Sequence, residues 1–347
     1  LAIKSQIVLW GLFIALVISI PLVCVIGAVP LSVSEVFSVL THKLGFASET
    51  VTSQQSAIVW DIRLPRALMS IAVGSALAGS GVVLQGLLRN PLADPGLLGI
   101  STGAAFTAAL YFVFFGSAFV IGSALSEAVL PLFSFVGSTI VCLATFAMAR
   151  GAKQTHVANL LLAGIAINAL CGALTGLLTY LADDAQLRNL TFWTLGSFGK
   201  ATWTHTLIMI AITAVCVSLF FMMFKPLNVL VLGEKESSLT GVPVEKLKRR
   251  IILLTSLAVG VSVAFCGVIS FVGLVIPHIM RMLGNSDHRF LIPASALGGA
   301  LLLCWSDTLA RTIAAPAEVP VGIITSLIGA PTFIYLILRE KKKSAYP

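Results

Sequence analysis

The stretch 74-GSALAGSGVVLQGLLRNPLADPGLLGISTGA-104 sets two apolar segments back to back around a polar break that carries two prolines. Residues 67–88 hold no charge and are long enough, at about 1.5 Å per residue, to cross a hydrocarbon core about 30 Å thick. Pro91 disfavours helical geometry at Asn90 and lacks a donor, so the first helix ends there. Asp94 followed by Pro95 reads as an N-cap with proline at the first helical position, opening a second helix that runs back. Gly74, Ala78 and Gly81 on the first arm, with Gly96, Gly99 and Gly103 on the second, recur at helical spacing and let other helices approach closely. A membrane hairpin with ordinary caps accounts for the pattern. What sets it apart is the crowding of Gln85, Asn90, Asp94, Ser101 and Thr102 into sequence that otherwise avoids polar groups.

The composition around this hairpin excludes a soluble globular chain. Hydrophobic residues make up 58% of 347, charged residues 10%, and the mean hydropathy is +1.02, which fits an all-α polytopic membrane protein forming one transmembrane domain over 1–347. Apolar segments at 6–29, 67–88, 97–116, 129–149, 157–181, 204–224, 249–268, 270–283, 290–308 and 320–338 read as about ten transmembrane helices. Lys4 precedes an apolar run to Val29 that is too long for a signal-peptide core, so that run reads as the first span. With the N-terminus inside, sixteen of the 22 Lys and Arg fall on inside segments, and this orientation makes both termini cytoplasmic. It also puts the turn from Asn90 to Pro95 on the cytoplasmic side. Cys24, Cys142, Cys171, Cys216, Cys266 and Cys304 lie within apolar runs without paired spacing and read as small core residues, with no disulfide and no metal site.

Outside the hairpin the polar residues fall into a few groups. Residues 30–66 read as the first outside loop and end in Arg63-Leu64-Pro65-Arg66, where two arginines suit either anchoring to headgroups or a docking role. On the fifth span Gly164, Asn168, Gly172, Thr175 and Thr179 share one helix face, as a packing seam or as the lining of a path through the membrane. The longest inside loop, 225–248, contains a short helical pattern from Glu234 to Thr240, stopped by Gly241 and Pro243, with Leu239 and Val242 available to a partner. Asp307 and Arg311, at i and i+4, can pair on the outside. The chain has no G-x-x-x-x-G-K-[ST] phosphate loop, so it cannot itself cradle ATP by that motif. No charge sits at the middle of a span, which counts against an ion-coupled carrier, and no paired carboxylates or nucleophile motif supports an enzyme.

These residues resemble the permease subunit of binding-protein-dependent ABC importers for iron chelates, haem and cobalamin. The resemblance is carried by RLPR (63–66), the 74–104 hairpin, LLLAG (160–164), GEKESSLTGV (233–242), GVISFVGLVIPHIMR (267–281), DHRFLIP (287–293), SDTLAR (306–311) and EVPVGIITSLIGAPTFIYLI (318–337), while residues 1–60 match in hydropathy only. It implies a homodimer in the bacterial inner membrane, with the pathway on the two-fold axis. Two ATPase subunits that bind ATP and Mg sit beneath, and a periplasmic substrate-binding protein docks from outside. No nucleic acid and no cofactor of the chain's own are implied. Arg63, Arg66 and Arg311 stand where the family docks the binding protein. Asn90 and Leu92 match a cytoplasmic gate, and Thr155 and His156 fall in a second gate loop, where His156 replaces a smaller polar residue. Glu234, Ser237, Leu239, Gly241 and Val242 match the helix that couples to the ATPase. The segment ADDAQLRNLTFWTLGS (182–197) looks most like haem permeases, with a ferric siderophore and then cobalamin as alternatives, and an ion-coupled secondary carrier as a distant one.

Overall fold

A chain this apolar satisfies its backbone groups within helices, and among the described residues the structure has no β-strand. It is a computed structural model that describes residues 3–46, 51–115, 123–151 and 157–344. In chain order the helices are α1 (Ile3–Val25), α2 (Val33–Lys43), α3 (Ser53–Leu88), α4 (Ile100–Phe115), α5 (Ser123–Ala149), α6 (Val157–Leu181) and α7 (Asp184–Thr194). There follow α8 (Trp203–Met222), α9 (Phe224–Leu230), α10 (Glu234–Leu239), α11 (Val244–Cys266), α12 (Val272–Leu283), α13 (His288–Thr312) and α14 (Val321–Ser344). Among the described residues seven helices, α1, α3, α5, α6, α8, α11 and α13, are long and apolar enough to span a membrane. Three shorter apolar helices, Ile100–Phe115, Val272–Leu283 and Val321–Tyr335, coincide with the remaining expected segments.

The stretch 30–66 departs from the sequence reading as a loop. Ser32 and Glu35 form a capping box that starts α2, and Thr52 with Gln55 forms another that starts α3 well before residue 67. Arg63-Leu64-Pro65-Arg66 therefore lies inside a helix. The helix is wound as a π-helix over Ala57–Arg63, where the Leu64 N–H reaches back five residues to the Val59 carbonyl. This widening lets the chain pass Pro65, which has no N–H to offer the ladder, without ending the helix.

Helix α3 is the axis of the fold: 83% of its spanning window is buried, against 17% for α1. It packs most extensively on α13 and also touches α8, α11, α12 and α1. Small residues make this crowding possible. Gly74 and Gly299 face each other so closely that a methyl group on either would overlap the other's carbonyl oxygen, and Gly81 meets the Gly273 carbonyl in the same way. Each helix-interior glycine costs about 1 kcal/mol relative to alanine, a cost that close backbone packing offsets here. The outer helices keep apolar side chains such as Leu162, Ile165, Leu207 and Val215 exposed, as a lipid-facing surface requires.

Candidate functional site

The break between α3 and α4 is built from local caps. Arg89 takes the left-handed conformation (φ 48°) that ends α3, and the Asn90 N–H returns to the Gln85 carbonyl at 3.1 Å. Asn90 Oδ1 accepts the Leu92 N–H at 2.9 Å, leaving Leu92 at the tip, 44% exposed. Asp94 then accepts the Gly96 N–H at 2.7 Å and opens the short 3₁₀ turn Pro95–Leu98, as its spacing before Pro95 predicts. Gly99 (φ 78°) turns the chain into α4.

Two side chains from outside the loop clamp it. Gln85 is buried in α3. Its Nε2 donates to the carbonyls of Ala93 at 3.3 Å and Gly273 at 3.2 Å, while its Oε1 accepts from Arg281 Nη2 at 2.6 Å. From α6, Asn168 Nδ2 donates to the Gly96 carbonyl at 3.1 Å, and Thr102 donates to Asn168 Oδ1. Asn90, Leu92 and Asn168 thus gather at one turn, while Thr155 and His156 lie outside the described residues. Of the other residues on the α6 stripe, Gly172 faces open space, and Thr175 and Thr179 bond back to the carbonyls of Cys171 at 2.7 Å and Thr175 at 2.8 Å.

At the same end of the bundle α9 and α10 form a compact unit. Ser237 is buried and donates to the carbonyls of Val229 and Gly233, holding α10 on α9. Glu234 pairs with Lys248 at 2.7 Å, and Gly241 (φ 85°) turns the chain toward α11. Leu239 projects outward, 88% exposed, while Val242 is half-buried and packs partly against the core. Asn228 of α9 donates to Asp287 at 2.7 Å and lies 2.7 Å from His288 Nδ1, tying this unit to the start of α13. Partial burial would raise the Asp287 carboxyl, but hydrogen bonds from Asn228 and the Arg289 N–H outweigh that and hold it below the usual carboxylate range.

Of the three expected docking arginines, Arg63 and Arg66 lie at the other end of α3 and Arg311 in the last turn of α13, and their side chains turn inward. Arg63 donates to the carbonyls of Cys24 at 2.7 Å, Val25 at 3.0 Å and Val29, and Arg311 donates to that of Val23. Together they cap the C-terminal carbonyls of α1. Arg66 bridges two acids, Asp307 at 2.9 Å and Glu318 at 2.8 Å. The expected Asp307–Arg311 pair is only a long contact of 4.0 Å, because Arg66, from a different helix, holds both oxygens of Asp307. Asn228 and Arg281 escaped the sequence reading of this site, as did the pairing of Glu318, on the same outer side, with Arg66. Arg281 lies in the last turn of an apolar helix, and Gln85, polar within an apolar run, is the signal of a partner.

The six cysteines are buried without disulfides, and among the described residues no cluster of His, Cys, Asp or Glu could hold a metal ion.

Comparison with known proteins matches residues 12–339 to the model of the FecCD transport family. The chain is 46% identical over 303 residues to the hemin transport system permease protein HmuU of Yersinia pestis, covering 86% of this chain and 90% of that protein. It is 40% identical over 292 residues to the vitamin B12 import system permease protein BtuC of Salmonella typhi, covering 84% and 87%. A solved structure described as an inward-facing conformation of a metal-chelate type ABC transporter superposes with a TM-score of 0.83 at 33% identity, covering 96% of this chain and 99% of that one.

Proposed function

The chain belongs to the FecCD transport family, and we propose that it is the permease subunit that carries haem in an ATP-driven importer of the bacterial inner membrane. The observation that supports haem is the 46% identity to the hemin permease, maintained over 303 residues. A ferric siderophore or cobalamin is the second reading; the 40% identity to the vitamin B12 permease supports cobalamin, and the likeness to a metal-chelate type transporter supports a siderophore.

In this proposal ten helices cross the membrane, both termini are cytoplasmic, and two copies enclose the pathway between them. The turn from Asn90 to Pro95, with the Thr155 and His156 loop, closes the cytoplasmic mouth. The exposed face of α6 around Asn168 and Gly172, continuing to Thr175 and Thr179, borders the passage. ATP and Mg bind to separate ATPase subunits, whose movement enters through Glu234, Ser237, Leu239, Gly241 and Val242. Exposed Leu239 on a braced two-helix unit suits that role, because a rigid lever transmits displacement and an apolar tip seats in a groove. Arg63, Arg66 and Arg311 underlie the surface on which a periplasmic binding protein docks. An acidic group of that partner reaches Arg66 by taking the place of Glu318, whose side chain is the exposed member of the triad.

Proteoliposomes containing this chain, its ATPase and its binding protein test the reading. Haem uptake that requires ATP hydrolysis and exceeds uptake of a ferric siderophore or cobalamin is the expected result. Preference for one of the other two replaces the substrate, and uptake by the permease alone under an ion gradient overturns the importer mechanism.

A further inference from the structure

Along the outer face of α11, at the end that carries the Asn90 turn, two grooves run side by side. One of about 380 Å³ lies against α5, and one of about 480 Å³ lies against α8. Lys246 and Leu253, seven residues apart on one helix face, form the ridge shared by both. Arg249 opens on the first groove with Arg150 from the end of α5, and Arg250 opens on the second. Away from this charged mouth the walls are apolar, with Leu143 and Phe146 on one side and Leu219 and Met222 on the other.

The four cations are exposed, and among the described residues none of their side chains forms an ion pair. Lys248, one helical step away, is buried and is held by Glu234 at 2.7 Å and Glu245 at 3.2 Å. Glu245 lines the first groove, where Lys248 offsets part of its charge, and the two groove mouths set four cations against this one acid.

We propose that these grooves bind anionic phospholipid, with phosphate held at Lys246, Arg249, Arg250 and Arg150 and acyl chains lying along the apolar walls. The charges occupy the first two turns of a 23-residue helix that is apolar thereafter, which is the depth of a headgroup layer. An acidic protein surface would match the cations but leave the apolar walls uncovered. A zwitterionic lipid would match the walls but not the surplus of positive charge. The inference rests on the reading of this end as cytoplasmic and membrane-bordering.

The full chain, delipidated in a neutral detergent, is titrated with phosphatidylglycerol, with phosphatidylcholine of the same chains, and with glycerol phosphate. Lipid retention by native mass spectrometry and the thermal midpoint are the readouts. Phosphatidylglycerol is expected to be retained and to raise the midpoint, and the other two are not. In Lys246→Gln/Arg249→Gln/Arg250→Gln the lipid-free midpoint should be unchanged, with affinity for phosphatidylglycerol lower by roughly five-fold per charge removed. Arg249→Gln and Arg250→Gln singly report the two grooves if the triple variant folds poorly. Equal binding by the variants, equal effects of phosphatidylcholine, or equal effects of glycerol phosphate overturn the proposal. So does loss of ATPase binding with phosphatidylglycerol binding intact, which would identify a protein occupant. None of these readouts depends on transport, so a failed uptake experiment leaves this inference standing, and the reverse holds.

Discussion

Replacing Gln85 by methionine keeps the volume of the side chain and removes one of the two clamps on the turn, leaving that of Asn168 in place. Among the described residues Gln85 supplies the hydrogen bond to the Arg281 guanidinium, at 2.6 Å, and Arg281 Nη1 is buried without a hydrogen-bond partner. A hydrogen bond to a charged group contributes about 1.5–3 kcal/mol, and the neutral ones to Ala93 and Gly273 about 0.5–1.5 kcal/mol each. Their geometry, 3.3 and 3.2 Å, puts the neutral pair at the weak end of that range. Gln85→Met should therefore cost about 3 kcal/mol and lower the thermal midpoint of the purified chain by roughly 5 °C. Much of that loss is the stranded guanidinium, so Gln85→Met/Arg281→Met should be more stable than the sum of the single variants by at least about 1 kcal/mol. A cost under about 1 kcal/mol for Gln85→Met, or strict additivity in the double variant, would refute the clamp.

Other outcomes follow from the same geometry. Gly81→Ala sets a methyl group against the Gly273 carbonyl and forces α3 and α12 apart; it should destabilise by about 1–3 kcal/mol in thermal unfolding, while Gly172→Ala, which faces open space inside α6, should be neutral or stabilise by up to about 1 kcal/mol. Leu239→Asp should abolish stimulation of the ATPase by the permease while leaving the permease fold intact, because it places an unpaired charge at an apolar contact; normal coupling in that variant removes Leu239 from the lever. Arg66→Ala leaves Asp307 buried without its main partner and should cost about 3–5 kcal/mol, whereas Glu318→Gln should cost under about 1 kcal/mol and strengthen docking of an acidic partner in a salt-dependent manner. Because the Asp287 carboxyl is held low in the fold, its contribution is complete above the unfolded value of about 3.9 and is lost as pH falls through the lower folded value; Asp287→Asn should remove that acid limb from the stability profile.

The hairpin at 74–104 was legible because its signals are local: Pro91, the Asp94–Pro95 cap and the glycine spacing act within a few residues of where they are written. The start of α3 was not. Asp61 and Arg63 interrupt the apolar pattern, and only the Thr52–Gln55 capping box and a π-helical turn reveal that the helix runs through them. The internal partners of the arginines were hidden for a related reason. Their side-chain environment is set by partners remote in sequence: Arg66 meets Asp307 and Glu318 across 241 and 252 residues, and Arg63 meets a helix end 39 residues back. Charge alone said that these residues belong near water, and it could not say that internal carbonyls and carboxylates would hold them. Gln85 was conspicuous as a polar residue in an apolar run, but its partner lies 196 residues away.

The measurement that bears most directly on the account is cross-linking at the tip of the turn. The six buried native cysteines are replaced, Leu92→Cys is introduced, and the permease is reconstituted with its ATPase and binding protein. The account predicts that two copies cross-link at residue 92 in one nucleotide state and not in another, and that the cross-link stops substrate uptake until it is reduced. Residue 92 failing to meet its mate in any nucleotide state, or uptake continuing through a cross-linked pair, would contradict it.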